Sequence, residues 1–388
     1  MIFGIVAGEA SGDRLGAGLM RVLRQRQPGV RFVGIGGPLM LAEGLESLAH
    51  MDRLAVNGFV EPVRRLPDLV RLLRLLYRTF TQQQPTAFIG VDFNVFNFLI
   101  ERLLKRRGVP TVHYVSPSVY AWRRGRVRAI ARSTDLLLTL YPFEPAFYDH
   151  SRVRAVFVGH PLADEITPEA SAAAARQAAQ QVLEVQGARP CIAVLPGSRM
   201  SEVKLMTEPF LDACEQFRVR YPQAVFVIPA LRESIEVWLR EQLKARADLP
   251  VIVYRGNGRL ALTACDAALV KSGTSTLEAM LLHRPMVVSY RLGEWTYQLV
   301  RRLLRTPYVA LPNILAGRRL VAELLQHEAT GTALADELAR ALDKASADPG
   351  YLAEFHDLHL QLRRNADDSA AAAVLDWLDG RSMTTGEK

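Results

Sequence analysis

The stretch Ile2-Phe-Gly-Ile-Val-Ala-Gly-Glu-Ala-Ser-Gly-Asp13 decides the fold class of this chain. Its first six residues form an apolar run that predicts a buried β-strand, and Gly8 and Gly12 allow a tight turn into a helix. A strand, a glycine-containing turn and a helix are the opening unit of a parallel, doubly wound sheet. Because Asp13 lies near the helix start, a plain strand-to-helix connection without a binding role is an equally simple interpretation.

The same alternation of apolar runs and helical spacing continues along the chain. Further strands of the first half are predicted at Arg31–Ile35, Ala87–Val91, Thr111–Val115, Leu136–Leu140 and Ala155–Val158. The alternation begins again in the second half, with strands predicted at Cys191–Leu195, Ala224–Ile228, Val251–Tyr254, Ala267–Val270 and Met286–Ser289. The fold class is therefore α/β, with two doubly wound, Rossmann-like domains. We expect them to face each other across a cleft that holds the ligands.

The chain length sets the domain organisation. Because 388 residues exceed one ordinary hydrophobic core, we predict an N-terminal domain over residues 1–166 and a second domain over 167–345. Residues 346–388 are rich in Ala and Leu and are predicted to form C-terminal helices that pack back on the body and end in a frayed tail. The apolar character of these helices also suggests a homodimer.

Composition limits the classes of protein and partner. With 49% hydrophobic and 23% charged residues, the chain is typical of a folded globular protein. A net charge of +8 favours an anionic partner. Three dispersed cysteines predict a reducing, cytoplasmic setting, and we expect no metal and no cofactor. His113 and His160 lie at strand ends without Cys or carboxylate partners at ligand spacing, so they are expected to be structural or to contact substrate. No apolar run reaches the roughly 20 residues of a membrane-spanning helix.

Asp92 follows the apolar strand Ala87–Val91 directly. A carboxylate where the chain leaves a buried sheet can act as a general base on a hydroxyl nucleophile. The alternative is that Asp92 only caps the next helix.

The second half contains the loop Leu195-Pro-Gly-Ser-Arg199 between a strand and a helix. The backbone amides of Gly197 and Ser198 can face a phosphate there, while Arg199 adds positive charge. Alone, this loop could also be a bare connection.

A second loop, Lys271-Ser-Gly-Thr-Ser-Thr-Leu-Glu278, has the same position between strand and helix. The residues expected to face an anion are Ser272, Gly273 and Thr274. Two such loops at one sheet edge predict a nucleoside diphosphate, and Glu278 could accept hydrogen bonds from the ribose.

The segment Val63–Phe80 alternates leucines with arginines. Such a basic amphipathic helix suits an anionic lipid headgroup layer, although an ordinary surface helix with its leucines in the core has the same pattern. Similar mixtures occur at Trp122–Arg128 and Leu299–Arg305. Together they favour an acidic, partly apolar partner.

These features resemble those of the lipid-A-disaccharide synthases, membrane-associated glycosyltransferases with two-domain GT-B architecture. The stretches that carry the resemblance are Ala7–Asp13, His113–Trp122, Leu195–Arg199, Ser272–Thr274 with Glu278, and Leu311–Gly317. The resemblance implies an inverting transfer from UDP-2,3-diacylglucosamine to the 6-hydroxyl of 2,3-diacylglucosamine 1-phosphate. The products would be the lipid A disaccharide 1-phosphate, a lipopolysaccharide precursor, and UDP. It also implies peripheral contact with the inner leaflet of the cytoplasmic membrane.

The resemblance implies roles for individual residues. Asp92 matches the family's essential acidic residue and is the candidate base, while Glu9 and Ser11, in the turn that begins at Gly8, lie on the acceptor side. Arg199 should offset negative charge on the departing UDP. Donor binding falls to Ser272, Thr274, Glu278 and Asn313, beside Gly197, Ser198 and Gly273.

One stretch departs from the family pattern. The family usually has Asp-Ala-Pro-Asp-Phe-Asn where this chain has Asp92-Phe-Asn-Val-Phe-Asn97. Because Asp92 is retained, the assignment of the base stands. The missing second Asp and Pro leave open the shape of the loop and any role of a second carboxylate.

Two other functions are compatible with parts of the sequence. A UDP-sugar 2-epimerase would share the fold and a UDP loop but would not need the basic, leucine-rich segments. A non-catalytic nucleic-acid-binding protein is suggested by the charge alone. No RRM, KH or helix-turn-helix pattern supports it, so we expect no nucleic-acid partner.

Overall fold

The computed structural model describes residues 1–54, 61–117, 119, 125–187, 190–293, 297 and 306–385. The chain divides into two compact units, one formed by Met1–Asp164 with Leu362–Lys388 and the other by Glu165–Gln361. The C-terminal segment predicted over residues 346–388 is therefore shared between the two units.

A parallel sheet of seven strands forms the centre of the first unit. Its strands are β1 (Ile2–Ala7), β2 (Arg31–Ile35), β3 (Leu45–Ser47), β4 (Ala87–Val91), β5 (Thr111–Tyr114), β6 (Leu136–Thr139) and β7 (Arg154–Phe157). Their spatial order is β3-β2-β1-β4-β5-β6-β7. The order reverses between β1 and β4, and crevices at such reversals are where open α/β sheets bind ligands.

Helices cover both faces of this sheet. They are α1 (Ala10–Arg26), α2 (Pro38–Ala42), α3 (Glu61–Gln83), α4 (Asn94–Lys105), α5 (Arg126–Ala131), α6 (Pro161–Glu165) and the last helix, α15 (Ala366–Thr385). The apolar side of α15, including Ala370, Val374 and Trp377, is buried with residues of α1 in one core cluster. Leu72 and Leu76 of α3 lie in a second cluster with α4. The last helix thus completes the core of the unit in which the chain begins.

The second unit repeats this arrangement. Its strands are β8 (Cys191–Leu195), β9 (Val225–Ala230), β10 (Val251–Arg255), β11 (Ala267–Lys271), β12 (Met286–Tyr290) and β13 (Ala322–Leu325), in the order β10-β9-β8-β11-β12-β13. Its described helices are α7 (Ala173–Val182), α8 (Met200–Arg220), α9 (Glu233–Leu243), α10 (Gly258–Ala264), α11 (Thr274–Leu281), α12 (Leu311–Ala316), α13 (Gly331–Ala347) and α14 (Pro349–Leu362). The strand order reverses between β8 and β11. The two parallel sheets confirm the α/β fold class. Over the part of the chain that is described, no helix is both long and apolar enough to cross a membrane.

Asp13 has a structural role that the sequence did not indicate. Its side chain is buried, and its carboxylate accepts hydrogen bonds from the backbone amides of Gly37 (2.8 Å), Leu39 (3.0 Å) and Met40 (3.0 Å). These amides belong to the first turn of α2, which otherwise has no partner for them. Asp13 therefore anchors a neighbouring helix instead of capping its own.

Candidate functional site

The turn after β4 places Asp92 at the reversal point of the first sheet. Asp92 and Phe93 both have left-handed backbone conformations, with φ of 49° and 46°, which are uncommon for residues with side chains. The amide of Asp92 donates to the carbonyl of Tyr114 at 2.8 Å, and the Asn97 side-chain amide donates to the Asp92 carbonyl at 2.8 Å. The Asp92 side chain is partly exposed. A strained turn, held by hydrogen bonds from two sides, thus presents a carboxylate at the carboxyl end of the central strand β4.

The turn after β1 lies against the turn after β4. A Cβ atom added to Gly8 would be only 2.5 Å from the ring of Phe93, so the close approach requires glycine. Glu9 and Ser11 follow Gly8 and are exposed. The structure therefore brings the Gly8 turn and the Asp92 turn to the same edge of the sheet, although they are more than 80 residues apart in sequence.

A cavity of about 370 Å³ opens at the reversal point of the second sheet. Both predicted anion loops line it, because β8 and β11 are neighbours and their carboxyl ends meet at one edge. The lining residues are Leu195, Gly197, Ser198, Arg199, Glu202, Pro229, Leu231, Gly256, Asn257, Gly258, Lys271, Ser272, Gly273, Thr274 and Ser275. The pairing of the loops, which the sequence only suggested, is thus present in one cavity.

The first loop is arranged around a negative charge supplied by Glu202. One carboxylate oxygen of Glu202 lies 3.3 Å from the amide nitrogen of Ser198 and 3.5 Å from that of Arg199. Gly197 has a φ of 135°, and a Cβ atom there would lie 2.8 Å from Glu202. The Ser198 amide, one of the two expected to face a phosphate, therefore already faces an anion.

Lys271 holds the other oxygen of Glu202. Its ammonium nitrogen lies 3.0 Å from Glu202 Oε1 and 4.7 Å from the centre of the Tyr290 ring. Partial burial would raise the pKa of Glu202, but the hydrogen bond and charge of Lys271, with the two loop amides, outweigh it and lower that pKa. The sequence indicated no role for Lys271 or Glu202, although Lys271 begins the second loop.

The second loop contributes less side-chain chemistry than expected. The Ser272 hydroxyl donates to the carbonyl of Val309 at 2.9 Å, so it holds the neighbouring chain. Gly273 and Thr274 are exposed at the start of α11. We therefore expect these two positions, and not the Ser272 hydroxyl, to face a ligand.

Two predicted donor residues do not line the cavity. Glu278 is partly buried, with a carboxylate oxygen 3.7 Å from a guanidinium nitrogen of Arg259. Asn313 is fully buried: its amide donates to the Val321 carbonyl and to Glu323, and its oxygen accepts from the amides of Leu320 and Val321. These hydrogen bonds connect α12 to the segment Leu320–Glu323. They account for the buried position of Asn313 without a bound ligand.

The basic amphipathic segments have mixed outcomes. In α3, Leu72 and Leu76 are in the core, as in an ordinary surface helix, whereas Leu66 and Leu75 are 57% and 39% exposed. Leu299–Arg305 and residues 122–124 of the Trp122 segment lie outside the described residues.

Comparisons with known proteins identify the family. A family model described as lipid-A-disaccharide synthetase matches residues 2–374. A lipid-A-disaccharide synthase of Saccharophagus degradans is 46% identical over 374 residues, covering 96% of each chain. One of Pseudomonas putida is 48% identical over 377 residues, covering 97% of this chain and 98% of the relative.

Solved structures share the fold at low identity. The UDP-GlcNAc 2-epimerase of Neisseria meningitidis has a TM-score of 0.63 at 10% identity, covering 97% of this chain and 99% of that one. A glycosyltransferase of Rickettsia africae has a TM-score of 0.61 at 8% identity, covering 97% and 98%. At such identity the likeness to the epimerase is one of fold and does not favour the epimerase alternative. The chain belongs to the lipid-A-disaccharide synthase family and is a glycosyltransferase of GT-B architecture that forms the lipid A disaccharide.

Proposed function

We propose that the chain transfers 2,3-diacylglucosamine from its UDP derivative to the 6-hydroxyl of 2,3-diacylglucosamine 1-phosphate, with Asp92 as the general base. The acceptor oxygen attacks C1 of the donor sugar, the bond from C1 to the UDP oxygen breaks, and UDP leaves with the electron pair. The acceptor proton passes to the Asp92 carboxylate. The observation that carries this proposal is the partly exposed carboxylate of Asp92 on a strained turn at the reversal point of the first sheet.

In this proposal the UDP part of the donor binds in the cavity of the second unit. A diphosphate there would meet the Gly197 amide of the first loop, the guanidinium of Arg199 and the ammonium of Lys271. Glu202 stabilises this loop by an anionic contact of the same kind. Glu9 and Ser11, beside the Asp92 turn, are proposed to contact the acceptor.

A direct test follows UDP release with and without each lipid substrate, in detergent micelles. Release that requires both lipids supports the transfer. Release without acceptor, or conversion of a water-soluble UDP-sugar into an epimer, would contradict it.

We expect Lys271→Met to weaken UDP binding about tenfold, because one charge-assisted contact to the diphosphate is lost. Isothermal titration with UDP measures the effect. Lys244→Met is the matched control, since Lys244 is exposed and lies outside the cavity. UDP affinity equal to that of the unsubstituted protein in Lys271→Met would remove Lys271 from the donor site.

We also propose peripheral contact with the inner leaflet of the cytoplasmic membrane through α3. Leu66 and Leu75 are exposed there, beside the exposed Arg71, Arg74 and Arg78. Exposed leucines among arginines suit the boundary between anionic headgroups and acyl chains.

The double substitution Leu66→Ser with Leu75→Ser is expected to reduce binding to phosphatidylglycerol-containing vesicles about tenfold. Cosedimentation measures the loss, with Val219→Ser and Val237→Ser as the matched pair, because both valines are exposed on the second unit. Equal losses in the two pairs would contradict a specific role of α3.

The homodimer stays a prediction. The apolar side of α15, one of the helices on which it is based, is buried with residues of α1 in the same chain.

A further inference from the structure

A series of hydrogen bonds runs from Asp92 into the core of the first unit. The Asn94 amide nitrogen donates to Asp92 Oδ1 at 3.3 Å, and Asn94 Oδ1 lies 3.2 Å from His113 Nε2. His113 Nδ1 lies 2.6 Å from Glu101 Oε1, and the Thr134 hydroxyl donates to Glu101 Oε2 at 2.7 Å. The series thus joins the candidate base to a fully buried carboxyl group.

The chemistry of the groups fixes the direction of the series. The Asp92 carboxylate only accepts hydrogen bonds, so the atom of Asn94 that faces it must be the amide nitrogen. Asn94 Oδ1 then faces His113, and His113 Nε2 must carry a proton. The remaining proton lies between His113 Nδ1 and Glu101, on either atom. Glu101 therefore fixes the orientation of His113, His113 fixes that of Asn94, and Asn94 fixes that of the Asp92 carboxylate.

The surrounding structure is shaped to hold the Glu101–His113 pair. Both side chains are fully buried, and the Phe98 ring stacks on His113 with centroids 4.1 Å apart. A Cβ atom on Gly90 would overlap a Glu101 carboxyl oxygen, so the glycine in β4 makes room for it. Burial raises the pKa of Glu101. The charges of His113 and Lys105 and the hydrogen bond from Thr134 lower it, but burial has the larger effect.

We propose that Asn94 and His113 are positioning residues that orient the Asp92 carboxylate for proton abstraction, with Glu101 fixing the His113 ring. With Oδ1 held by Asn94, Oδ2 is directed to the acceptor hydroxyl. This inference rests on the proposed role of Asp92.

Steady-state kinetics of Asn94→Ala, His113→Gln and the double variant test the proposal. Each single substitution should lower kcat about 10- to 100-fold, with KM for both substrates within about twofold, since orientation and not binding is lost. The double variant should be no slower than the slower single variant, because both residues act along one series. Leu99→Ala, on the exposed side of α4, is the control and should retain the kcat of the unsubstituted protein.

Normal kcat in Asn94→Ala would overturn the proposal, as would additive losses in the double variant. Asn94 is partly exposed and its replacement leaves the Glu101–His113 pair intact, so this result does not depend on the stability of the His113 variant.

A measurement without substrate separates this inference from the proposed function. In ¹⁵N-histidine NMR spectra of the full chain, with His113 assigned by its loss in His113→Gln, Nε2 should be protonated. A neutral ring protonated only at Nδ1 would overturn the series even if the enzyme is active. Failure of the unsubstituted protein to form a disaccharide would instead overturn the proposed function, whatever the spectra show.

Discussion

Asp92→Asn is expected to lower kcat by about three to four orders of magnitude, because the proton acceptor for the sugar hydroxyl is removed. The fold should not change. Asn tolerates a left-handed backbone at least as well as Asp, and its carbonyl oxygen can still accept the hydrogen bond from Asn94. UDP affinity should be unaltered, since the cavity lies in the other unit.

The measurement is a single-turnover assay with saturating donor, together with thermal unfolding and UDP titration of the same preparation. Asp149→Asn, an exposed position in the same unit, is the matched control and should turn over normally. Turnover of Asp92→Asn within tenfold of the unsubstituted protein would assign the base to another residue.

The second large effect is expected for Arg199→Ala, with kcat/KM for the donor about a hundredfold lower. The Arg199 side chain is 79% exposed at the mouth of the first loop, and its nearest nitrogen is 3.9 Å from Glu202. Its guanidinium is therefore available to the leaving diphosphate, where negative charge increases as the bond to C1 breaks. The side chain does not cap α8, so the helix should remain.

Two further variants sharpen this prediction. Arg199→Lys keeps the positive charge but cannot bind the diphosphate in a bidentate manner, so it should recover part of the kcat/KM that Arg199→Ala loses. Arg220→Ala, at the opposite end of the same helix and paired with Asp343, should change stability slightly and donor kinetics not at all. An Arg199→Ala enzyme with unchanged kcat/KM would exclude Arg199 from the reaction.

The strands that the sequence indicated include every central strand of both sheets, together with the edge strands β7 and β10. β1, β4, β8 and β11 are continuous apolar runs because helices cover the two sides of each sheet. The missed strands, β3 and β13, are short edge strands in which only Leu45 is buried, which leaves no buried apolar run to detect. The turns at the carboxyl ends of central strands were correspondingly easy to find.

What the sequence could not indicate depends on contacts between distant segments. Glu101 and His113 lie 12 residues apart on different elements, so no spacing rule relates them. Glu202 resembles an ordinary first-turn glutamate until Lys271 is placed beside it by the pairing of β8 with β11. For Asn313 the sequence predicted a donor-binding role. In the structure its side-chain amide forms hydrogen bonds with the protein backbone and with Glu323.

The proposed reaction joins two acylated glucosamines through the 6-hydroxyl of the acceptor. Mass spectrometry of the product from purified protein, UDP-2,3-diacylglucosamine and 2,3-diacylglucosamine 1-phosphate in micelles tests it most directly, with the 6-deoxy acceptor in parallel. We predict the disaccharide 1-phosphate with the natural acceptor and no product with the 6-deoxy compound, which lacks the nucleophile. The proposed reaction would be contradicted by a disaccharide formed from the 6-deoxy acceptor, or by folded protein that binds UDP but forms no disaccharide from the natural acceptor.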